Sequence, residues 1–161
     1  MKYLLDTNVL SEIRKPNGHS GVKAFVESLR EEDIFISVIS VGEIVFGIEK
    51  LPAGSKKTEL LNWFTQKLPE RFGKRIIALD TEIMVEWGRL QAQAPKTLPV
   101  FDSLIAASAL IRRLTVVTRN IKDFEKIEGI MLLDPWDNKY LPLKEGKRRK
   151  SLPKRPVRKT R

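Results

Sequence analysis

The stretch "KYLLDTNVL" at residues 2–10 decides the fold. Its apolar part suits a buried β-strand, and Asp6, Thr7 and Asn8 follow that strand at once. Ligands of open α/β sheets bind just outside the carboxyl ends of the strands. A carboxylate at this point is therefore a candidate site residue, and its meaning depends on which other polar side chains reach the same edge.

Strand-like and helical segments alternate along the rest of the chain. The strand-like segments are 33–37, 75–80, 114–118 and 130–134, and the helical segments are 7–14, 20–32, 40–51, 55–68, 81–93 and 100–113. Ser20 and Ser40 are the expected N-caps of their helices, with Glu43 at the capping-box position after Ser40. Strands separated by helices predict an α/β fold with a parallel sheet and helices on both faces. The continuous apolar strands agree, because parallel strands are buried on both sides.

The formal charge of +10 is concentrated at the C-terminal end of the chain. Residues 144–161 contain ten Lys or Arg and one acidic residue, so residues 1–143 are almost neutral. We predict one domain over residues 1–140, followed by a basic, disordered tail over residues 141–161. The second interpretation of the tail is a basic arm that binds nucleic acid or an acidic partner.

Composition also excludes several classes of protein. The chain has no cysteine, which rules out disulfides and thiolate metal sites. No apolar stretch approaches the ~20 residues that cross a bilayer, and the N-terminus lacks the pattern of a signal peptide. We expect a soluble, cytoplasmic protein that does not contact a membrane.

Four acidic side chains are predicted to meet at one edge of the sheet. Asp6 follows the first strand, and Asp123 follows a later strand in "TRNIKDF", together with Asn120. Glu43 and Asp102 are expected in the first turns of helices that begin at the same edge. Each acid has an ordinary alternative role as a helix cap, a helix-dipole partner or a surface charge.

A group of carboxylates needs a counter-charge. Two carboxylates ~5 Å apart repel by about 3 kcal/mol at an effective dielectric constant of ~20. Oxygen ligands favour Mg²⁺ or Mn²⁺, and the only histidine, His19, lies in a predicted surface loop. Such a metal activates water against a phosphodiester. Lys96, Arg119 and Lys122 are then candidates to hold a nucleic-acid backbone, although solubility alone would also explain them.

Four blocks of the sequence resemble one known family. The blocks are "LLDTNVLSE" at 4–12, "SVISVGEIVFGI" at 37–48, "FDSLIAASA" at 101–109 and "VVTRNIKDFEKIEGI" at 116–130. In this order they are similar to the signature blocks of PIN-domain ribonucleases, and most similar to the VapC-type toxins of bacterial toxin–antitoxin pairs. "DPWD" at 134–137 resembles the closing segment of the FitB-like branch.

The resemblance implies a PIN-like three-layer α/β/α sandwich and a Mg²⁺- or Mn²⁺-dependent endoribonuclease. The family's first three acids match Asp6, Glu43 and Asp102. The fourth position falls on Asn120, which carries no charge. We therefore assign the fourth metal-binding acid to Asp123 and give Asn120 a supporting part in catalysis.

The resemblance also implies supporting residues and partners. Thr7, Asn8 and Thr118 are expected to orient the acids or the backbone around them. The partners would be an RNA substrate, a second copy of the chain in a homodimer, and a small antitoxin that lays a basic side chain into the acidic site. The main alternative is a catalytically inactive PIN-like protein that binds RNA or a partner, which Asn120 favours. A phosphohydrolase of the haloacid dehalogenase type fits less well, because Asn8 stands where that family has a second aspartate.

Overall fold

A six-stranded sheet forms the centre of the computed structural model, which describes residues 1–137 and, by backbone alone, residues 139–141. The strands are β1 (Tyr3–Leu5), β2 (Ile34–Ser37), β3 (Ile76–Ile77), β4 (Thr115–Val117), β5 (Met131–Asp134) and β6 (Lys139–Leu141). Their order in the sheet is β3-β2-β1-β4-β5-β6. The first five strands are parallel, and β6 pairs with β5 in the antiparallel direction.

Eight α-helices surround this sheet in the described part of the chain. They are α1 (Thr7–Arg14), α2 (Ser20–Ser28), α3 (Val38–Glu49), α4 (Ser55–Asn62), α5 (Leu68–Phe72), α6 (Thr81–Gln93), α7 (Val100–Arg112) and α8 (Ile121–Phe124). None of these helices has the length and apolar character that a membrane span requires.

The sheet buries a separate hydrophobic core on each face. Because successive side chains of a strand point to opposite faces, Leu4 joins one core and Leu5 joins the other. The Leu4 core contains Ile83 of α6 and Ile105 of α7, whereas the Leu5 core contains Val9 of α1 and residues of α2, α3 and α5. The arrangement confirms the predicted three-layer α/β/α sandwich.

Helices α6 and α7 form an antiparallel pair that decides where their end residues lie. The chain returns to the amino edge of the sheet after β3, and Asp80 there caps α6 and contacts Arg112 at the end of α7. The start of α7 therefore lies at the carboxyl edge. This direction brings Asp102, in the first turn of α7, to the same edge as Asp6.

Two expected N-caps are wrong. Ser37 caps α3, with its Oγ accepting from the Ile39 backbone N–H at 3.1 Å, and Ser40 is buried inside the helix. Glu43 consequently lies in the second turn of α3 and not in the first. Helix α2 likewise begins at Ser20 itself, with His19 at the N-cap position.

Other elements also differ from the sequence prediction. The helix expected over residues 20–32 ends at Ser28 and is followed by a 3₁₀ turn at Glu31–Asp33, and the short helix α8 was not predicted. The segment expected as one helix over residues 55–68 is interrupted by a π-helical turn at Trp63–Lys67, after which α5 continues to Phe72. The pattern also did not predict β6, which follows β5 directly. The predicted tail over residues 141–161 lies outside the described residues, except for its first residue, Leu141, which ends β6.

Candidate active site

Asp6 ends β1 and is held in place by three hydrogen bonds. Its Oδ1 accepts from the backbone N–H of Thr7 at 2.7 Å, which makes Asp6 the N-cap of α1. Its Oδ2 accepts from Asn8 Nδ2 at 2.8 Å and from Thr118 Oγ1 at 2.7 Å. Asp6 is only 5% exposed, and this burial raises the pKa of its carboxyl group although the three hydrogen bonds lower it. The capping role foreseen as an alternative is therefore real, but it leaves the carboxylate desolvated.

Thr118 connects the ends of β1 and β4. Its buried hydroxyl donates to Asp6 and accepts from Asn8 Nδ2 at 3.1 Å and from the Asn120 backbone N–H at 3.0 Å. The Arg119 backbone N–H donates in turn to Asn8 Oδ1 at 3.4 Å. Asn8 and Thr118 thus hold Asp6 and the turn after β4 in position by hydrogen bonds.

Glu43 reaches this edge from α3. The Thr7 hydroxyl donates to Glu43 Oε2 at 2.5 Å, so a single residue at the start of α1 joins the first and second predicted acids. Thr7 uses its backbone N–H for Asp6 and its side chain for Glu43. Glu43 lies in the second turn of α3 because the helix begins earlier than expected. Its hydrogen bond with Thr7 nevertheless keeps it at this edge.

Asp102 is the most perturbed acid of the group. Its pKa is raised from 3.8 to about 6, first by burial and then by the negative charges of Asp6, Asp123 and Glu43. The charge of Asp123 also raises the pKa of Asp6. The structure therefore brings the other three predicted acids near enough to Asp102 to act on it by charge, although the four are up to 117 positions apart in the sequence.

The fourth position differs between its two candidates. Asp123 lies in α8 and acts on both Asp6 and Asp102 through its charge. Asn120 precedes α8, and its side chain makes no capping hydrogen bond there. These contacts favour Asp123 as the fourth acid and leave Asn120 with its backbone link to Thr118.

The donor set suits a hard cation, but the side chains are spread apart. Across residues 1–137, Asp6, Glu43, Asp102 and Asp123 form no ion pair with a basic side chain. In the same part of the chain no three acidic or histidine side chains converge closely enough to hold one ion. Carboxylate oxygens are nevertheless the ligands that Mg²⁺ and Mn²⁺ prefer.

Comparison with known proteins identifies the family. The family model described as "PIN domain" matches residues 3–130. The chain belongs to the PIN-domain family. "VapC ribonuclease Y4jK" of Sinorhizobium fredii is 31% identical over 137 residues, covering 83% of this chain and 97% of that protein. "Toxin FitB" of Neisseria gonorrhoeae is 33% identical over 136 residues, covering 83% and 97%.

The fold comparison gives the same answer. The crystal structure of FitAcB from Neisseria gonorrhoeae matches with a TM-score of 0.78 and 33% identity, covering 83% of this chain and 98% of that one. The four acids lie within the matched part of the PIN domain. The resemblance seen in the sequence blocks is therefore confirmed at the level of family and fold.

The basic residues predicted around the PIN-domain site fall in two places. Lys96 and Lys122 line one cavity of about 540 Å³, and Asp123 lines it as well. Arg119 is not part of that cavity; its guanidinium lies 5.6 Å from the centre of the Trp136 ring. Sequence analysis missed Lys126, which lines the same cavity as Lys96 and Lys122. Its spacing of four residues from Lys122 is the signal that could have found it.

Proposed function

We propose that this PIN-domain protein is a Mg²⁺- or Mn²⁺-dependent endoribonuclease and the toxin of a toxin–antitoxin pair. The observation that carries the proposal is the acidic edge, where three carboxylates lie near enough to Asp102 to act on it by charge and none of the four has a basic partner among the described residues. Asp102 shows the electrostatic cost most clearly, since its burial and then the charges of its acidic neighbours raise its pKa to about 6. Unpaired carboxylates close to one another do not stabilise the fold, but they are the ligands that a cation-dependent site needs.

Asp6, Glu43, Asp102 and Asp123 would hold the metal. When bound, the cation would supply a water of lowered pKa and would neutralise charge at the cleaved phosphate. The hydrogen bonds from Thr7, Asn8 and Thr118 fix the Asp6 carboxylate before any ligand arrives. Preorganisation of this kind avoids reorganising the site during the reaction.

RNA would be held by the basic side chains beside the acids. Lys96 and Lys122 are exposed and line one cavity with Asp123, and Arg119 is exposed and lies over Trp136. Lysine and arginine contacts to phosphates bind nucleic acid without regard to sequence. An RNA substrate also predicts action in the cytoplasm.

Cleavage of a labelled pool of transfer, ribosomal and messenger RNA tests the proposal. The wild-type protein is assayed with Mg²⁺, with Mn²⁺ and with EDTA, beside Asp6→Asn. Asp80→Asn is the matched control, since Asp80 is also an aspartate that caps a helix but lies at the opposite edge of the sheet. We expect metal-dependent cutting by the wild type and by Asp80→Asn, and a loss of at least about a hundredfold in Asp6→Asn.

Either of two results would contradict the proposal. Cutting that survives EDTA would remove the metal from the reaction, and undiminished cutting by Asp6→Asn would remove the acidic edge. RNA that is bound but not cut under any condition would favour the alternative of an inactive PIN-like binding protein.

We further propose a homodimer and an antitoxin as protein partners. Val38, Val100 and Phe101 are 38%, 53% and 55% exposed at the starts of α3 and α7, which provides apolar surface beside the site. An antitoxin with a basic side chain would relieve the same repulsion as a metal. Sedimentation of the purified chain, alone and with a co-expressed antitoxin, checks both partners.

The tail from residue 144 onward carries most of the net charge of the chain. If it contributes to RNA binding, removal of residues 144–161 should weaken the affinity mainly at low salt, because charge contacts are screened by ions. Affinity measured by fluorescence anisotropy over a salt series decides the point. An affinity that stays the same at low salt would show that the tail does not bind RNA.

A further inference from the structure

One cavity beside the acidic edge is lined by three lysines. Lys96 is far in the sequence from the other two, Lys122 and Lys126. The cavity has a volume of about 540 Å³ and lies between the end of α6, the loop over residues 94–99 and the segment that begins with α8. Lys96, Lys122 and Lys126 all line it, and we call it the lysine pocket. Its volume falls in the range of roughly 300–1,000 Å³ that is usual for small-ligand sites.

The three lysines have no protein counter-ion among the described residues. Elsewhere on the surface Lys15, Lys57 and Lys67 are each paired with a glutamate. Asp123 and Glu128 also line the cavity, so the three lysines leave it with a small excess of positive charge. An anion placed among the lysines would be stabilised by that excess. Phosphate is the anion that nucleic acid would bring to this place.

The pocket also has apolar walls that a base or a ribose can contact. Leu90 and Ile127, which are 4% and 6% exposed, contribute to its lining. The loop that carries Lys96 is fixed from α6: Gln91 Nε2 donates to the Leu98 carbonyl at 3.2 Å, and the Leu98 backbone N–H donates to Gln91 Oε1 at 3.0 Å. The wall is thus formed before any ligand binds, which lowers the entropic cost of binding.

Asp123 connects the pocket to the acidic edge. It lines the pocket, and its charge acts on Asp6 and Asp102. We propose that the lysine pocket binds the nucleotide of the RNA strand that adjoins the cleaved phosphate, with its phosphate among the three lysines and its base or ribose against the apolar wall. The inference rests on the proposed ribonuclease function and adds Lys126 to the residues that bind RNA.

The test uses binding of a short single-stranded RNA of random sequence to the full chain carrying Asp6→Asn, so that RNA is not cut. Lys126→Gln removes the charge and retains the length of the side chain. Lys56→Gln is the matched control, because Lys56 is an exposed lysine of α4 outside the pocket. We expect Lys126→Gln to weaken binding about three- to tenfold and to reduce the salt slope of log Kd by roughly 0.7, the value for one lost phosphate contact.

Neutral substitution of the RNA backbone locates the contact. Once the cleavage site is mapped with otherwise wild-type protein, single methylphosphonate linkages are placed on either side of it. In protein that retains Lys126, one of the neutral linkages should weaken RNA binding as much as Lys126→Gln does. That linkage combined with Lys126→Gln should weaken binding no further than either change alone.

The outcomes separate the two proposals. The lysine pocket would be overturned by equal RNA affinities of Lys126→Gln and Lys56→Gln. It would also be overturned if the loss caused by Lys126→Gln added to the loss caused by every neutral linkage. In both cases metal-dependent cutting by the wild type would still support the ribonuclease function. Absence of both binding and cutting by the wild-type chain would overturn the two proposals together.

Discussion

The amino edge and the carboxyl edge of the parallel sheet treat their acidic residues in opposite ways. At the amino edge Glu31 contacts Arg71 Nη2 at 2.8 Å and Arg75 Nη2 at 3.4 Å, and Asp80 contacts Arg112. The arginines hold the pKa of the Glu31 carboxyl below its usual value. At the carboxyl edge four acids have no such partner in the described part of the chain, and the pKa of Asp102 rises to about 6.

We interpret this difference as a structural use of charge at the amino edge and, under the proposed function, a metal-binding use at the carboxyl edge. Helix α7 shows it within a single element, since Asp102 in its first turn has no ionic partner among the described residues while Arg112 in its last turn pairs with Asp80. An acid that stabilises the fold is paired with a cation of the protein. An acid that serves a site is left for a cation from outside, at a cost in stability.

Removing the fourth acid should give the largest effect. We expect Asp123→Ala to reduce RNA cleavage by about a hundredfold or more, and Asn120→Ala to reduce it by less than about tenfold. Of these two residues, Asp123 is the one that carries a charge and acts on Asp6 and Asp102. Initial rates on one RNA at saturating Mg²⁺ provide the measurement. The reverse order of activities would show that Asn120, and not Asp123, occupies the fourth position.

Adding metal should stabilise the protein through the carboxyl edge alone. Mg²⁺ at about 100 times its Kd should raise the free energy of unfolding by about 2.7 kcal/mol. Thermal unfolding with Mg²⁺ and with EDTA measures the gain in the wild type, in Asp102→Asn and in Glu31→Gln. The gain should shrink in Asp102→Asn and persist in Glu31→Gln. An equal gain in all three proteins would mean that Mg²⁺ binds elsewhere.

The fold was predictable because its signals are local. The apolar strand before Asp6 and the helical periods between strands fix an α/β sandwich, and the strand ends show which edge carries the site. The position of Glu43 in α3 was not predictable in detail, because Ser37 and Ser40 are both capable N-caps and only tertiary packing decides between them.

Parts of the site depend on contacts that no sequence pattern reports. The aspartate of "RIIALD" also follows a strand, yet the chain turns back before α6 and carries Asp80 to the amino edge and Arg112. The same pairing of distant elements brings Lys96 to Lys126, which local spacing alone connects only to Lys122. The ends of the strands indicate which acidic residues are candidates for the site. The path of the chain between the elements decides which of these residues lie at the same edge of the sheet.

A smaller effect is expected on the stability of the metal-free protein. Because the pKa of Asp102 is raised on folding, the folded state binds more protons than the unfolded state between pH 3.8 and about 6, and the free energy of unfolding falls as pH rises through that window. Asp102→Asn should therefore increase the free energy of unfolding at pH 7 by about 1–2 kcal/mol after allowance for solvent screening. The gain should vanish near pH 3.5.

Urea unfolding in EDTA at both pH values checks this prediction, with the midpoint and the m-value reported separately. Destabilisation by Asp102→Asn at pH 7 would mean that the carboxylate contributes to the fold as the amino-edge acids do. In that case the two edges would no longer differ in the way they use charge.

The smallest effect belongs to the amino edge and has the opposite sign. Glu31→Gln should lower the free energy of unfolding at pH 7 by about 0.5–1 kcal/mol, because Arg71 and Arg75 lose their common carboxylate at an exposed position. The pKa of Glu31 is lowered on folding from 4.5, so its contribution is present above pH 4.5 and is lost as the pH falls through the folded-state value. Urea midpoints for wild type and variant should therefore converge in acid, while cleavage of RNA at pH 7 stays at the wild-type rate. A loss of cleavage in folded Glu31→Gln would show that the paired acids also serve the reaction, and pairing with arginine would then no longer distinguish the two edges.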